Sequence, residues 1–230
     1  MSDCNKVLLG YWDLRGLAEP IRLLLEYCEI PYEQKLYVCG DGPEFSRADW
    51  TQVKDNLPLH FPNLPYFRDK NGMYLTESWA IMQHIARKHE LVPKDEISAA
   101  LCDQLQGVVQ DFRKSFTNMC YSTNYEKNKD LFLKQLPEKM KRFNVYLTEH
   151  AFLAGKSISY VDFALAEILD QVQMFYKDLF NENQYSAVNN YLNKILNLPN
   201  IKSYRKSSRF KKFPCNNKRA NWGGKKEDNQ

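Results

Sequence analysis

Apolar and polar residues alternate with two different periods in the first part of the chain. Residues 6–12 are mostly apolar and typical of a strand, and residues 32–38 alternate in the manner of a second strand. Between them, residues 17–29 place apolar side chains on one face of a helix. A strand, a helix and a strand within roughly thirty residues predict a crossover unit with two parallel strands.

Two more strands and another helix are predicted downstream. Residues 63–67 and 73–76 resemble strands, and residues 69–72 between them have the chemistry of a hairpin turn. Ser78 is expected to be the N-cap of the helix that follows. With a partly helical stretch after the loop at residues 40–43, the order is β-α-β-α-β-β-α, which fits a thioredoxin-like domain.

Strand patterns disappear beyond this region. Residues 90–96 have the composition of a linker, and helical periodicity then continues to Tyr204. Ser159 and Asp162 have the spacing of a capping box, in which each side chain satisfies a free backbone N–H of the other residue. This box should open a helix in the core of the second part of the chain.

The two patterns predict a two-domain protein of the α+β followed by all-α kind. Residues 1–90 form a thioredoxin-like domain, with a mixed four-stranded sheet and helices. Residues 91–230 form an all-helical domain that ends in a basic tail.

The composition is that of a soluble globular protein, with 43% hydrophobic and 26% charged residues among 230. The formal charge of +4 comes from a local basic excess near the C-terminus, which we interpret as a solvated segment. No nucleic-acid partner is therefore expected. The chain lacks a charged-then-apolar leader and an apolar run of about 18 residues, so we expect a cytoplasmic location and no membrane partner.

Cysteine and histidine spacing predicts no metal site. The six cysteines are scattered without CxxC spacing, so we expect free thiols and no disulfide framework. His84 and His89 would face apart on a helix, and no cysteine pair accompanies them. The cysteines are Cys4, Cys28, Cys39, Cys102, Cys120 and Cys215.

Seven ordered segments carry a more specific signal. They are LGYWDLRGL at residues 9–17, IRLLLEY at 21–27, GDGP at 40–43 ahead of Arg47 and Trp50, FPNLPY at 61–66, IARKH at 85–89, LPEK at 136–139 and KSSRF at 206–210. Together they resemble the mu class of cytosolic glutathione transferases, from about residue 6 to residue 223. The resemblance implies conjugation of the thiolate of glutathione, as co-substrate, to electrophilic hydrophobic small molecules in detoxification.

Tyr11 is where the resemblance implies the phenol that activates the thiol. A free thiol has a pKa of about 8.5, and lowering it by ~2 units requires roughly 2.7 kcal/mol of preference for the thiolate. One hydrogen bond donated to a charged group contributes about 1.5–3 kcal/mol, so a single phenol suffices. By position alone, Tyr11 is more typical of a residue that packs in the core, and the resemblance of the YWDLRG segment around it favours the catalytic role instead.

The resemblance also implies which residues bind glutathione. Arg47, Trp50 and Lys54 would serve the glycine end, and the helix N-terminus at Ser78 would receive the γ-glutamyl carboxylate. The backbone of Leu64, before a cis Pro65, would pair with the cysteinyl unit. Ser78 as a plain N-cap, Asn63 as a plain turn residue and Asp111 as a solvated helix residue stay open alternatives. The full set is Trp12, Arg47, Trp50, Lys54, Asn63, Leu64, Pro65, Glu77, Ser78 and Asp111.

A homodimer is implied as well, with Phe61 inserted into the partner's helical domain and Asp111 reaching the glutathione of the partner. For the electrophile pocket, Tyr121 would act as a proton donor that assists leaving or addition. Trp12 would also form part of its wall. The predicted substrate-binding residues are Leu17, Cys39, Tyr121, Asn216 and Asn217.

Two departures from the mu pattern affect substrate choice. Glu77 replaces the usual Gln, which adds charge near both the ammonium and the carboxylate of the γ-glutamyl group. The tail that closes the electrophile pocket is polar, so we expect weaker activity toward bulky apolar compounds. A non-enzymatic carrier of glutathione or another ligand, a structural module and an isomerase or prostaglandin-type activity are the alternatives, and turnover with different electrophiles separates them.

Overall fold

The computed structural model describes residues 6–181 and 183–225. The chain forms two compact units. The first, which we call the N-terminal unit, contains the described residues up to Ile85 together with those from Ser203 onward. The second, the helical unit, is Ala86–Lys202. Among the described residues, no helix combines the length and apolar character needed to cross a membrane.

The N-terminal unit is built on a mixed sheet of four strands in the order β2-β1-β3-β4. β1 and β2 are parallel, as the crossover pattern predicted, and β3 runs antiparallel to both β1 and β4. The predicted mixed four-stranded sheet is confirmed. The strands are β1 Val7–Trp12, β2 Tyr32–Tyr37, β3 Tyr66–Arg68 and β4 Tyr74–Thr76.

α1, α2 and a short 3₁₀ turn connect these strands, and α3 follows the last of them. In α1, Pro20 lies in the first turn, where its missing N–H has no helical partner. The buried face of α1 includes Ile21, Leu23 and Leu24, so the helix packs its apolar stripe into the core. The elements are α1 Glu19–Tyr27, α2 Ala48–Thr51, the 3₁₀ turn Lys54–Asn56 and α3 Ser78–Lys88.

The start of α3 differs from the prediction that Ser78 is its N-cap. Ser78 is the first helical residue, and Glu77 occupies the position before it with φ 68°. The Glu77 carbonyl accepts the first helical hydrogen bond, from the N–H of Ile81 at 3.0 Å. The left-handed conformation of Glu77 places the N-cap one residue earlier than predicted. The spacing of apolar residues does not fix a helix start to within one residue.

The helical unit packs around α6, nearly all of whose residues are buried. The predicted capping box is confirmed, since Asp162 Oδ2 accepts from the backbone N–H of Ser159 at 2.7 Å and from its hydroxyl at 2.8 Å. The helices after α3 are α4 Glu96–Cys120, α5 Tyr125–Glu149, α6 Tyr160–Phe175, α7 Asp178–Asn181, α8 Ser186–Leu196 and α9 Pro199–Lys206, and a short 3₁₀ turn, Asn183–Tyr185, precedes α8. The division between the two units falls within α9, after Lys202.

The C-terminal tail groups with the N-terminal unit rather than with the helical one. The Arg209 guanidinium pairs with the Glu26 carboxylate on α1, and Lys218 Nζ lies 2.5 Å from Asp41 Oδ1. These compact units therefore divide the chain differently from the expected ranges 1–90 and 91–230. The reason is that residues of the tail form ion pairs with residues far away in sequence. The periodicity of apolar residues along the chain does not predict such pairs.

Candidate functional site

The register of the sheet brings three predicted site segments together at one end of its strands. Tyr11 is the last residue but one of β1, and its neighbour Gly10 pairs with Tyr66 at the start of β3. β4 ends at Thr76, opposite the same Tyr66. The carboxyl end of β1, the segment before β3 and the start of α3 therefore lie side by side.

Tyr11 is only 6% exposed, yet its hydroxyl is engaged by the backbone. Its Oη accepts a hydrogen bond from the N–H of Leu17 at 3.0 Å. A donor to the phenol oxygen polarises the O–H group and makes it a stronger donor in turn. The loop of residues 13–17 is thus folded around the polar end of this side chain.

Gly16 permits this close approach. It has φ +46°, in the left-handed region, and a Cβ at this position would lie 2.5 Å from Tyr11 Oη. The sequence pattern identified the loop, but it did not single out Gly16. A glycine directly after the β1 turn was the available signal, because such positions often require a positive φ.

An aromatic cluster supports the next group of predicted residues. Trp50 is buried and stacks on Tyr66, with ring centroids 6.0 Å apart and planes 21° apart. The hydroxyls of Tyr66 and Tyr37 lie 3.1 Å apart, and burial raises the pKa of both phenols. Trp50 is therefore fixed by neutral, packed partners that the sequence analysis missed.

The two cations predicted for the glycine end of glutathione flank Trp50 along the chain. Arg47 is exposed at the N-cap position of α2, and Lys54 begins the 3₁₀ turn that follows α2. Trp12, at the end of β1, meets Tyr37 edge to face with centroids 6.4 Å apart. These side chains offer two positive charges around a buried indole.

Asn63 and Glu77 are hydrogen-bonded partners. Asn63 Nδ2 donates to Glu77 Oε1 at 2.9 Å, because the β3–β4 hairpin brings its two outer ends together. Asn63 Oδ1 accepts from the N–H of Leu64 at 2.9 Å, and the Leu64–Pro65 peptide bond is cis. Both ends of the Asn63 amide are thus engaged within this unit, and one of them orients the carboxylate of Glu77.

The residues predicted to bind the electrophile differ in what they touch. Cys39 is buried, and its Sγ donates to the carbonyl of Phe45 at 3.4 Å. Asn217 is half-buried, and its Oδ1 accepts from the N–H of Arg219 at 3.2 Å. Leu17 is half-buried and contributes the N–H that reaches Tyr11.

Asn216 makes its side-chain hydrogen bond within its own loop. Its side chain is only 3% exposed, and its Nδ2 donates to the carbonyl of Trp222 at 3.1 Å. An amide buried to this extent has little surface to offer to a ligand. The structure therefore gives Asn216 a loop-closing contact, and the substrate contact that the resemblance implied stays a hypothesis.

Two predicted residues belong to the helical unit. Asp111 is exposed on α4, and Tyr121, at the C-cap of the same helix, is 44% exposed. Both side chains therefore present polar groups at the surface of their own unit. Each keeps its predicted role as a hypothesis.

The described cysteines are free thiols. Burial raises the pKa of Cys28 and of Cys102 to about 11, which keeps them protonated and poorly reactive at neutral pH. Cys4 lies outside the described residues. Within residues 6–181 and 183–225, no group of three or more His, Cys, Asp or Glu side chains has the arrangement of a metal site.

Comparison with known proteins matches both parts of the chain. Residues 8–87 match the family model described as "Glutathione S-transferase, N-terminal domain", and residues 110–208 match "Glutathione S-transferase, C-terminal domain". Glutathione S-transferase Mu 3 of Homo sapiens is 40% identical over 225 residues, covering 98% of this chain and 99% of the relative. Glutathione S-transferase Mu 1 of Bos taurus is 41% identical over 219 residues, covering 95% and 99%.

Solved structures give the same result for the fold. The crystal structure of the glutathione S-transferase Blo t 8 superposes with a TM-score of 0.84 at 29% identity, covering 94% of this chain and 99% of that one. A pi-class glutathione S-transferase of Onchocerca volvulus has a TM-score of 0.79 at 27% identity, with the same coverage.

Proposed function

Because this chain belongs to the glutathione S-transferase family, and catalyses the attack of the glutathione thiol on electrophilic compounds, we propose that Tyr11 is its catalytic residue. The hydrogen bond from the Leu17 N–H to Tyr11 Oη is the observation that carries this assignment. It polarises the phenol, so that the O–H donates more strongly to a thiolate sulfur within hydrogen-bonding distance. The phenol stays protonated and stabilises negative charge on the sulfur.

The energy required is within reach of one such bond. Lowering a thiol pKa from about 8.5 by ~2 units corresponds to about 2.7 kcal/mol. A hydrogen bond to a charged group is worth about 1.5–3 kcal/mol, and more where burial excludes water. Tyr11, only 6% exposed, lies in such an environment.

The edge of the sheet beside Tyr11 has the donors that glutathione requires. Arg47, Lys54 and the Trp50 indole N–H are proposed for the carboxylate at the glycine end, since each carries a positive charge or an N–H donor. Ser78, at the start of α3, is proposed for the γ-glutamyl carboxylate, because a helix N-terminus attracts negative charge. Further contacts are assigned to Trp12, Asn63, Leu64 and Pro65.

Glu77 is assigned to the ammonium of the γ-glutamyl group. Its carboxylate is exposed and is oriented by the amide of Asn63 at 2.9 Å. An oriented carboxylate offers both charge and acceptor capacity to an ammonium. Asp111 is assigned to the same ammonium in a second copy of the chain.

The electrophile side is assigned to Leu17, Cys39, Tyr121 and Asn217. Tyr121 acts there as a proton donor, because its partly exposed phenol is able to protonate a leaving or accepting atom. We assign the protein to detoxification in the cytoplasm. A non-enzymatic carrier is supported by no specific observation, since the matching relatives are named as transferases.

A homodimer is proposed on the basis of two complementary surfaces. Phe61 is 82% exposed, which is unusual for so large an apolar side chain. The helical unit has a groove of about 890 Å³ between α4 and α5, which contains exposed Val108 and Leu131. The groove also includes Asp111, so docking of Phe61 from a second copy would place that carboxylate at the interface.

Sedimentation velocity tests the dimer. Phe61→Ala should convert a dimer to monomers at concentrations where the parent protein stays dimeric, because truncating a buried aromatic anchor costs about 2 kcal/mol or more. Ile97→Ala is the matched control, since Ile97 is exposed but does not line the groove. A Phe61→Ala variant that remains dimeric would contradict this docking.

Steady-state conjugation of glutathione to chlorodinitrobenzene tests the role of Tyr11. Tyr11→Phe should reduce kcat/KM by roughly 10–200-fold, the equivalent of about 1.5–3 kcal/mol, while glutathione binding persists. Calorimetric titration of glutathione supplies the binding control. Equal activity in the two proteins would remove Tyr11 from catalysis, and binding without turnover in either would favour a ligand carrier.

A further inference from the structure

The last described part of the chain forms a closed loop, residues 212–224, which we call the C-terminal strap. The N–H groups of Cys215 and Asn216 both donate to the carbonyl of Gly223, at 2.8 and 2.9 Å. The buried Asn216 side chain adds a third bond across the loop, from Nδ2 to the carbonyl of Trp222 at 3.1 Å. The side chain of Asn216 therefore holds the strap closed from within.

The strap provides acceptors for the loop of residues 13–17. The N–H of Arg15 donates to the carbonyl of Pro214 at 2.9 Å, and the N–H of Gly16 donates to the carbonyl of Cys215 at 3.0 Å. The side chain of Arg15, which is buried, donates from Nη1 to the carbonyl of Lys212 at 3.3 Å. Three carbonyls of the strap thus fix two consecutive residues of the loop.

The next N–H along the loop is the one that reaches Tyr11. Leu17 directly follows Gly16, and its N–H donates to Tyr11 Oη at 3.0 Å. Gly16 is in contact with the same hydroxyl, at a distance that a Cβ would not tolerate. A displacement of Gly16 would therefore change both the donor and the space around the phenol.

We propose that Asn216 is a positioning residue for catalysis, which sets the Tyr11 hydroxyl through the strap and the backbone of residues 13–17. The proposal rests on the role assigned to Tyr11 above. Asn216 acts by closing the strap, which fixes the carbonyls that hold Arg15 and Gly16. This accounts for a polar, buried residue at a position where the sequence suggested a substrate contact.

A positioning role and a substrate contact predict different measurements. If Asn216 positions Tyr11, its loss weakens stabilisation of the thiolate, so the bound glutathione thiol becomes less acidic. If Asn216 contacts the electrophile, its loss raises KM for the electrophile and leaves the bound thiol unchanged. Ultraviolet absorbance of the thiolate, titrated with pH in the complex with glutathione, separates the two.

For Asn216→Ala we expect the pKa of the bound thiol to rise by about 0.5–1 unit. Conjugation to chlorodinitrobenzene should fall by about 2–5-fold near pH 6.5 and recover as the pH approaches 9, where the thiol ionises without assistance. Glutathione affinity should stay within about twofold, since no glutathione contact is removed. Lys225→Ala, an exposed change just beyond the strap, should leave all three quantities unaltered.

An unchanged thiol pKa in Asn216→Ala would overturn the positioning role. Should that variant not yield folded protein, Asn216→Leu carries the same test, because it fills a similar volume without a charge and lacks the N–H₂ donor. The parent protein provides the separate check on Tyr11. A bound thiol pKa near the free value of about 8.5 in the parent would overturn the role of Tyr11 itself, whereas a lowered parent value with no change in the variant overturns only Asn216.

Discussion

Two buried polar side chains, Asp162 in the helical unit and Tyr11 in the N-terminal unit, are held by backbone N–H groups in different ways. Asp162 accepts four hydrogen bonds: from the N–H of Leu153, from Tyr191 Oη, and from both the N–H and the hydroxyl of Ser159. Burial raises the pKa of Asp162, and these donors act in the opposite direction. The carboxylate is used entirely to join segments of the helical unit.

Tyr11 receives its bond from a loop that is itself held from elsewhere. The loop contains Arg15, whose side chain reaches a carbonyl of Lys212, 197 residues further along the chain. Loss of the Asp162 side chain should therefore lower the stability of the protein. Displacement of the Tyr11 hydroxyl should instead lower the rate of conjugation. The same type of interaction, an N–H bond to a buried oxygen, supports stability in one unit and function in the other.

Removal of the Asp162 carboxylate should give the largest effect. Asp162→Ala leaves the N–H groups of Leu153 and Ser159 buried without their acceptor, and it leaves the Tyr191 hydroxyl only the longer of its two bonds, at 3.3 Å to the backbone carbonyl of residue 162. We therefore expect a loss of about 3–5 kcal/mol in the free energy of unfolding. Urea denaturation followed by circular dichroism measures it. The conjugation rate per folded molecule should remain near that of the parent.

Asp103→Ala is the matched control for this change. Asp103 is exposed on α4, so its replacement should alter stability by no more than about 0.5 kcal/mol. If Asp162→Ala changed the free energy of unfolding as little as this control does, the four hydrogen bonds to Asp162 would not stabilise the helical unit. The contrast drawn between Asp162 and Tyr11 would then be wrong.

A methyl group at Gly16 should give the next largest effect, mainly on activity. Gly16→Ala forces an L residue to φ +46° and places its Cβ against Tyr11 Oη, so we expect conjugation to fall by about 10–100-fold, equivalent to about 1.4–2.7 kcal/mol. Steady-state kinetics at saturating glutathione measures the loss.

Gly72→Ala separates backbone strain from the clash with Tyr11. Gly72 has φ +84°, but a Cβ there would meet nothing within 4 Å. Its replacement should lower stability by about 1 kcal/mol and leave conjugation unchanged. Equal losses of activity in the two variants would show that the hydroxyl does not depend on the Gly16 loop.

The smallest effect is expected at Glu77. Glu77→Gln keeps an acceptor for the Asn63 amide but removes the charge assigned to the γ-glutamyl ammonium. Glutathione affinity should weaken by about 2–3-fold, in the range of one exposed ion pair, with kcat nearly unchanged. Isothermal titration checks it, and an affinity that stays equal or increases would contradict the assignment of Glu77.

The features that were predictable from sequence depend on local periodicity. Alternation and turn chemistry predicted the four strands and their order along the chain. The spacing of Ser159 and Asp162 predicted the cap of α6. Tyr11 followed from the resemblance of the segment around it. The donor from Leu17 did not, because a hydrogen bond to a side-chain oxygen leaves no periodic trace.

Features that depend on distant pairing were not predictable in this way. The placement of the tail with the N-terminal unit arises from bonds between residues 13–17 and 212–216, which one sequence without covariation does not reveal. Asn216 was assigned to the substrate because the resemblance places this tail over the electrophile pocket. Its bond to the carbonyl of Trp222 lies within the tail, and the resemblance did not indicate it.

The pKa of the glutathione thiol in complex with the protein measures how strongly the Tyr11 hydroxyl stabilises the thiolate. Absorbance of the thiolate, titrated between about pH 5 and 10, should give a value near 6.5 for the parent and near 8.5 for Tyr11→Phe. Equal and low values in the two proteins would show that groups other than the Tyr11 hydroxyl stabilise the thiolate, and the account of this site would be wrong.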